Sequence, residues 1–127
     1  MSYPDDLAYS REHEWVRVDG GRATIGITSF AADELGDIVF VELPDAGRSL
    51  EQHGTFGVVE SVKAVSDLFA PIAGEVVATN DALAGKPELV NDDPYGDGWM
   101  LRVKLADASQ ADGLLDAAAY EQLIAEG

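Results

Sequence analysis

Short alternating apolar runs, cut apart by Gly, Pro and Asp turns, predict a mainly β fold: a β-sandwich or flattened β-barrel with peripheral helices. Two segments carry most of that expectation. Trp15-Val16-Arg17-Val18 and Ala23-Thr24-Ile25-Gly26-Ile27 alternate on either side of Asp19-Gly20-Gly21, which reads as a hairpin. Thr55 to Val62 and Val65 to Phe69 read as a second hairpin, with Lys63 at its tip.

The remaining elements follow in order. Thr28 or Ser29 can cap a short helix through Ala31-Ala32-Asp33-Glu34-Leu35, and Gly36 stops it. Asp37-Ile38-Val39-Phe40-Val41-Glu42-Leu43 is the strongest strand pattern; Pro44 ends it, and Asp45-Ala46-Gly47 turns the chain. Pro71 to Gly74 turns into a strand over Glu75 to Thr79. Asn80 to Gly98 is rich in Asn, Asp, Gly and Pro and is expected to be irregular. Trp99 to Leu105 returns as a strand with Leu101, Val103 and Leu105 on one face and Arg102 and Lys104 on the other. In the tail, Asp116 can cap a helix that carries Tyr120, Leu123 and Ile124 on one face.

Composition narrows the function. The 127 residues imply a single domain, 1–127, with 46% hydrophobic residues to build a core. A net charge of −16, from 24 acidic and 8 basic residues, argues against nucleic acid and anionic membrane surfaces, and favours partners with basic faces. No apolar run reaches membrane-spanning length, and the N-terminus resembles neither a signal nor a transit peptide, so a cytoplasmic protein is expected. The absence of cysteine excludes disulfides and thiol nucleophiles; two histidines, His13 and His53, make a multi-His metal site an unpromising reading. Any sulfur chemistry must therefore come from an attached group.

Of the three lysines, Lys104 alternates with core positions and Lys86 lies in a loop between Gly85 and Pro87; both read as surface charges. Lys63 stands between the small or β-branched Val62 and Ala64 at a hairpin tip. That is a poor place to bury a catalytic base and a good place to offer an amine to a modifying enzyme. A plain solvated tip charge is the alternative.

Several segments together resemble the glycine cleavage system H protein family. They are His13-Glu14-Trp15, Ile25 to Thr28, Leu35 to Pro44, Gly57 to Asp67 with Glu60-Ser61-Val62-Lys63-Ala64 at its centre, Pro71 to Val76, Asn91 to Gly96, and Gly98-Trp99-Met100. The resemblance spans nearly the whole chain. It implies the lipoyl/biotinyl-like barrel-sandwich hybrid, a flattened β-barrel with short peripheral helices and a C-terminal helix. It also implies a lipoyl group in amide linkage to Lys63. Biotinyl carriers typically flank the lysine with Met, whereas Val62 and Ala64 stand here. In the family, acids on either side of the lysine and a glycine beyond help present it to lipoylating enzymes; Glu60, Asp67 and Gly74 occupy those positions.

The family resemblance further implies a non-catalytic shuttle, and a monomer fits a mobile shuttle best. The pyridoxal-phosphate P protein decarboxylates glycine and passes the aminomethyl group to the oxidised lipoyl ring. The T protein moves the carbon to tetrahydrofolate and releases ammonia, and the L protein reoxidises the dithiol with NAD. The loaded arm folds into a surface cleft, where Glu14 matches the family position for holding its amine and Asp67 is a second candidate. A neighbouring small hydroxyl residue of the family is Glu12 here. A solvated acid beside a packed Trp15 is the alternative for Glu14. Trp15, Phe40, Tyr95 and Trp99 read as core or loop-packing aromatics, and His13 as a hydrogen-bonded structural residue. Rival functions are a 2-oxoacid dehydrogenase carrier, which usually has Asp-Lys-Ala and flexible linkers, a lipoyl relay protein that donates to other carriers, an enzyme, and an acidic interaction module.

Overall fold

Strand pairing begins where the sequence alternates. The computed structural model describes residues 3–126. Its strands are β1 (Ala8–Tyr9), β2 (Glu14–Asp19), β3 (Arg22–Ile27), β4 (Ile38–Glu42), β5 (Ser49–Leu50), β6 (Thr55–Ser61), β7 (Val65–Phe69), β8 (Gly74–Thr79) and β9 (Leu101–Leu105). The helices are α1 (Ser29–Leu35), α2 (Ala82–Gly85), α3 (Leu89–Asp92) and α4 (Ala117–Glu126), with a 3₁₀ turn at Ala108–Gly113. Among the described residues the strands form a six-stranded sheet, β1-β2-β3-β9-β8-β5, and a three-stranded sheet, β4-β6-β7, with no closed barrel.

Both sheets contribute to one core. Ile25, Ile27, Val76, Leu101 and Val103 from the larger sheet pack with Ile38, Val41, Phe56, Val59 and Leu68 from the smaller. Burial of these side chains supplies the main driving force for bringing the sheets together. A second cluster gathers Tyr3, Leu7, Tyr9, Trp15 and Tyr120 under α4. No helix among the described residues is long and apolar enough to cross a membrane.

The β2–β3 hairpin turns at Gly20-Gly21, with Asp19 opposite Arg22. Trp15 faces Gly26 across it. A methyl at position 26 would lie 2.7 Å from the Trp15 ring, so the missing side chain leaves room for the indole. The tail helix also starts as its cap dictates: the Asp116 carboxylate accepts from the Ala119 N–H at 2.8 Å.

Three sequence expectations need correction, and two short strands had no sequence signal. Asn80 to Gly98 is not wholly irregular, because it contains α2 and α3. Each is a single turn, too short to create a helical period, and each is pinned by one buried residue, Leu83 or Val90. Asn80 fixes the segment's ends by donating to the carbonyls of Asp97 and Trp99 at 2.7 and 2.8 Å. Strands β1 and β5 are two residues long and leave no alternation to read. The final strand starts at Leu101 instead of Trp99. Phe40 is 48% exposed, not packed, because the β4–β6 register shifts between Ile38 and Phe40 and turns both Val39 and Phe40 outward.

Candidate functional site

Lys63 stands in the three-residue connection between β6 and β7, and its side chain is exposed. The tip is held by its own short hydrogen bonds. Ser61 N–H donates to the Ala64 carbonyl at 2.8 Å. The Ser61 hydroxyl oxygen accepts the N–H groups of Lys63 at 3.2 Å and Ala64 at 3.1 Å. A serine two residues before the lysine thus turns the chain with its side chain, the usual competition of Ser with regular backbone pairing.

The tip is also tied to the body. Val62 N–H donates to the Asp37 carbonyl at 3.0 Å, at the corner between α1 and β4. Gly36 makes that corner: its φ of 82° is a left-handed conformation that suits glycine. A methyl there would lie 3.5 Å from Lys63 Cε, so the lysine stem lies over the helix end. Asn91, on α3, secures the same corner from behind. Its side-chain amide donates to the Gly36 carbonyl at 2.9 Å, and its carbonyl oxygen accepts the Ile38 N–H at 2.9 Å. Within ion-pair distance, the described residues contain only His53 with Glu12, at 3.6 Å, so no carboxylate neutralises the Lys63 ammonium.

Glu60 and Asp67 share a surface with this tip. Glu60 lies opposite Phe40 on one side and Val65 on the other, while Asp67 lies opposite Val58. Directly paired antiparallel residues point to the same face. Val41, Val59 and Leu68 between them point inward and are buried, so Glu60 and Asp67 are on the outer face. Gly74 is elsewhere. It starts β8 in the larger sheet, between Leu105 and Leu50, and a methyl there would approach the Lys104 carbonyl oxygen at 2.5 Å. It is a close-packing glycine between backbones.

Glu14 is 2% exposed, so it is neither a solvated acid nor an open cleft carboxylate in this state. The Ser10 hydroxyl donates to its Oε1 at 2.6 Å, and Phe69 N–H reaches Oε2 at 3.5 Å. Glu14 therefore links the larger sheet to the far end of β7, two residues beyond Asp67. Burial pushes its carboxyl up to about 8, against the opposing pull of the Ser10 and Phe69 hydrogen bonds. Along β7 the Phe69 end lies about 14 Å from Val65 at the usual rise per residue. Glu12 is exposed and turns to His53 instead. Beside Ser10 a surface cleft of about 270 Å³ opens between Arg11, Glu12, Gln52, His53 and Leu114; Lys63, Glu14 and Asp67 do not line it.

Behind Glu14, His13 takes a left-handed backbone conformation, φ 71°, and its Nδ1 lies 2.8 Å from the Tyr120 hydroxyl. The same hydroxyl lies 2.7 Å from Thr28 Oγ1. Thr28 is the N-cap of α1 and accepts the Ala31 N–H. Burial lowers the His13 pKa and raises that of Tyr120, so both favour neutral forms that can share this bond. The structural reading of His13 is met, as are the packed readings of Trp15, Tyr95 and Trp99. Trp15 is fully buried with Nε1 donating to the Pro94 carbonyl at 3.0 Å. The Tyr95 hydroxyl accepts the Ser29 N–H at 2.9 Å. Arg102 lies over Trp99, 4.2 Å from its ring centre.

Sequence reasoning missed Ser10, Ser61, Asn91 and Tyr120 as site-shaping residues. Ser61 alone had a local signal, a hydroxyl residue just before a turn.

Known proteins share this fold and much of this sequence. The family model described as Glycine cleavage H-protein matches residues 7–127. The chain is 62% identical over 120 residues to a glycine cleavage system H protein of Magnetococcus marinus, covering 94% of this chain and 86% of that one. It is 57% identical over 124 residues to the Symbiobacterium thermophilum H protein, covering 98% and 97%. The crystal structure of a glycine cleavage system H protein from Mycobacterium marinum superposes with a TM-score of 0.89 at 38% identity, covering 97% of this chain and 99% of that chain. The chain belongs to the glycine cleavage H-protein family.

Proposed function

We propose that this chain is a non-catalytic carrier of the glycine cleavage system, residues 1–127 acting as one unit, with a lipoyl group attached in amide linkage to Lys63. The observation that carries the reading is the presentation of Lys63: an exposed, unpaired amine on a tip that two sets of hydrogen bonds hold in place. The fit of a covalent arm is good, because nothing crowds the ammonium and Ser61 and Asp37 fix the backbone that would carry it. The cyclic disulfide of a lipoyl group supplies the thiol–disulfide chemistry absent from a chain without cysteine.

The chain's own residues then have distinct tasks. Lys63 Nζ holds the amide, and amide formation removes its charge. Tethering keeps the cargo at high effective concentration near each partner. Those partners are the P protein, the T protein, the L protein and the lipoate-attaching enzymes. Glu60 and Asp67 meet the attaching enzymes on the outer face; Gly74 supports the presentation by letting β8 and β9 close together.

Glu14 is the acid we assign to a cationic amine carried on the arm, with Asp67 as the second. A carboxyl held near 8 is largely neutral at pH 7, and an ammonium brought beside it favours the carboxylate. Receiving the amine would therefore release a proton. Access requires Ser10 or the Phe69 end of β7 to give way, because Glu14 is covered in the present state.

Intact mass and peptide mapping test the attachment. Protein made with lipoate and active lipoylating enzymes should gain one lipoyl increment at Lys63, and Lys63→Arg should gain none and fail to support glycine–bicarbonate exchange by the P protein. An unmodified Lys63 alongside a control acceptor that is modified would overturn the carrier reading.

A further inference from the structure

Four of the chain's eight basic residues, Arg17, Arg22, Arg102 and Lys104, stand on one face of the larger sheet, in a chain with 24 acids. The register puts them there. Arg17, Thr24 and Arg102 form one cross-strand row, and Asp19, Arg22 and Lys104 form the next. Directly paired residues share a face. Val16, Ala23, Leu101 and Val103 alternate with these positions and are buried, so both rows point outward. Asp19 is directly opposite Arg22, and Glu75 directly opposite Lys104, yet among the described residues the only ion pair is His53 with Glu12. The four cations are gathered on one face without a carboxylate bound to any of them.

Two of the guanidinium groups are held in place. Arg17 lies over the Trp15 ring, 5.1 Å from its centre, and donates to the Tyr95 carbonyl at 3.1 Å. Arg102 rests on Trp99, as described above. Stacking occupies the flat face of a guanidinium and leaves its in-plane N–H groups for an anion. The Cα atoms of Arg17 and Arg102 are two strand spacings apart, about 10 Å, with Thr24 between them. A cavity of about 410 Å³ opens over this row, lined by Arg17, Asp19, Arg22, Ala23, Thr24 and Arg102.

We propose that this cavity binds a small multivalent oxyanion, a phosphate or carboxylate compound. Arg17 and Arg102 are the clamps, and the Thr24 hydroxyl donates between them. The site is on the larger sheet and is independent of what Lys63 carries. Guanidinium forks match the paired oxygens of either ligand type, and such charge-assisted bonds are about twice as strong as neutral ones. Holding both forks against indole rings lowers the ordering cost of binding. A second anionic group on the same ligand meets Arg22, about 7 Å further along the strands. Asp19 opposes binding from the rim of the cavity, and so does the net charge of −16. Salt screens distant acids beyond about 8–10 Å, whereas the clamps act at contact, so the local cations prevail.

The test titrates the full, unmodified chain with inorganic pyrophosphate in one arm and citrate in the other, sodium chloride holding the ionic strength constant. Amide and arginine Nε–H resonances report binding. Saturable shifts should centre on Arg17, Thr24 and Arg102. A response to pyrophosphate alone assigns a phosphate ligand, to citrate alone a polycarboxylate, and to both a site that reads oxyanions without distinguishing them. The Arg17→Lys, Arg102→Lys double variant keeps every charge but loses both forks, and should bind about 10-fold more weakly. Asp19→Asn, which suits the same turn, should bind at least about 2-fold more tightly. Arg48→Lys, beside β5, should bind as the wild type does. Circular dichroism checks that each variant is folded. No saturable shift with either anion would overturn the proposal. So would unchanged affinity in the double lysine variant, or an equal loss in Arg48→Lys, since either result would mean diffuse attraction to positive charge.

Discussion

The Asn91 amide donates to the Gly36 carbonyl at 2.9 Å, joining residues 55 positions apart. That bond and its companion to Ile38 N–H bracket Asp37, whose carbonyl receives Val62 beside the lysine. The corner under the tip is thus set by a side chain from the loop region between β8 and β9.

Asn91→Ala removes both bonds and leaves the Ile38 N–H without its partner. A buried donor left unsatisfied costs about 1–3 kcal/mol. Urea unfolding should lose stability in that range, and amide exchange at Val62 should accelerate. Asn91→Asp keeps the acceptor for Ile38 and loses the donor to Gly36, so it should fall between the two. A wild-type exchange rate at Val62 in the alanine variant would disconnect Asn91 from the tip.

Ser61→Ala strips the tip of the acceptor shared by Lys63 and Ala64. These bonds are exposed, so the cost to stability is small, about 0.5–1 kcal/mol. The larger effect should be on modification of Lys63, which slows several-fold as the tip samples more conformations. Ser61→Thr retains the hydroxyl and should restore the rate; equal rates in all three proteins would exclude the role.

Glu14 gives a pH dependence whose sign is fixed. Its folded carboxyl titrates near 8, above its ordinary value of 4.5, because burial disfavours the charge. Below 4.5 both folded and unfolded chains hold the proton. Between 4.5 and 8 the unfolded chain releases it and the folded chain keeps it, so stability falls as pH rises through this window and levels off above it. The slope from this group is at most about 1.4 kcal/mol per pH unit. Comparing wild type with Glu14→Gln from pH 6 to 8.5 cancels the other carboxylates. The wild type should lose stability relative to the glutamine variant across that range; parallel curves would mean that Glu14 is already ionised at pH 6.

Gly74→Ala drives a methyl against the Lys104 carbonyl. Spreading β8 and β9 should cost about 1–3 kcal/mol, the usual penalty for overpacking. Loss of modification should track the unfolded fraction and recover on cooling. A folded variant that is still not modified would give Gly74 a direct contact with the attaching enzyme.

Much of the fold was legible where neighbours in sequence are neighbours in space. Asp19-Gly20-Gly21 fixed one hairpin, Thr28 and Gly36 bounded α1, and Asp116 started α4. Lys63 was legible for the same reason, since a tip is a local feature. The strap from Asn91 and the Tyr120 bonds to His13 and Thr28 join distant segments, and no local pattern encodes them. Phe40 misled because alternation assumes an unbroken register, which the bulge at Val39 interrupts. The burial of Glu14 was not legible either: a charged residue beside tryptophan gives no sign that a serine four positions earlier will bury with it.

The Tyr120–Thr28 bond also bears on the order of events during synthesis. Thr28 is made 92 residues before the tyrosine that completes its hydrogen bonding. The Lys63 hairpin therefore leaves the ribosome while α1, whose far end lies under the lysine stem, still lacks its final anchor. Arrival of α4 closes the clamp on α1, so a finished chain offers its lysine on a firmer seat than a nascent one.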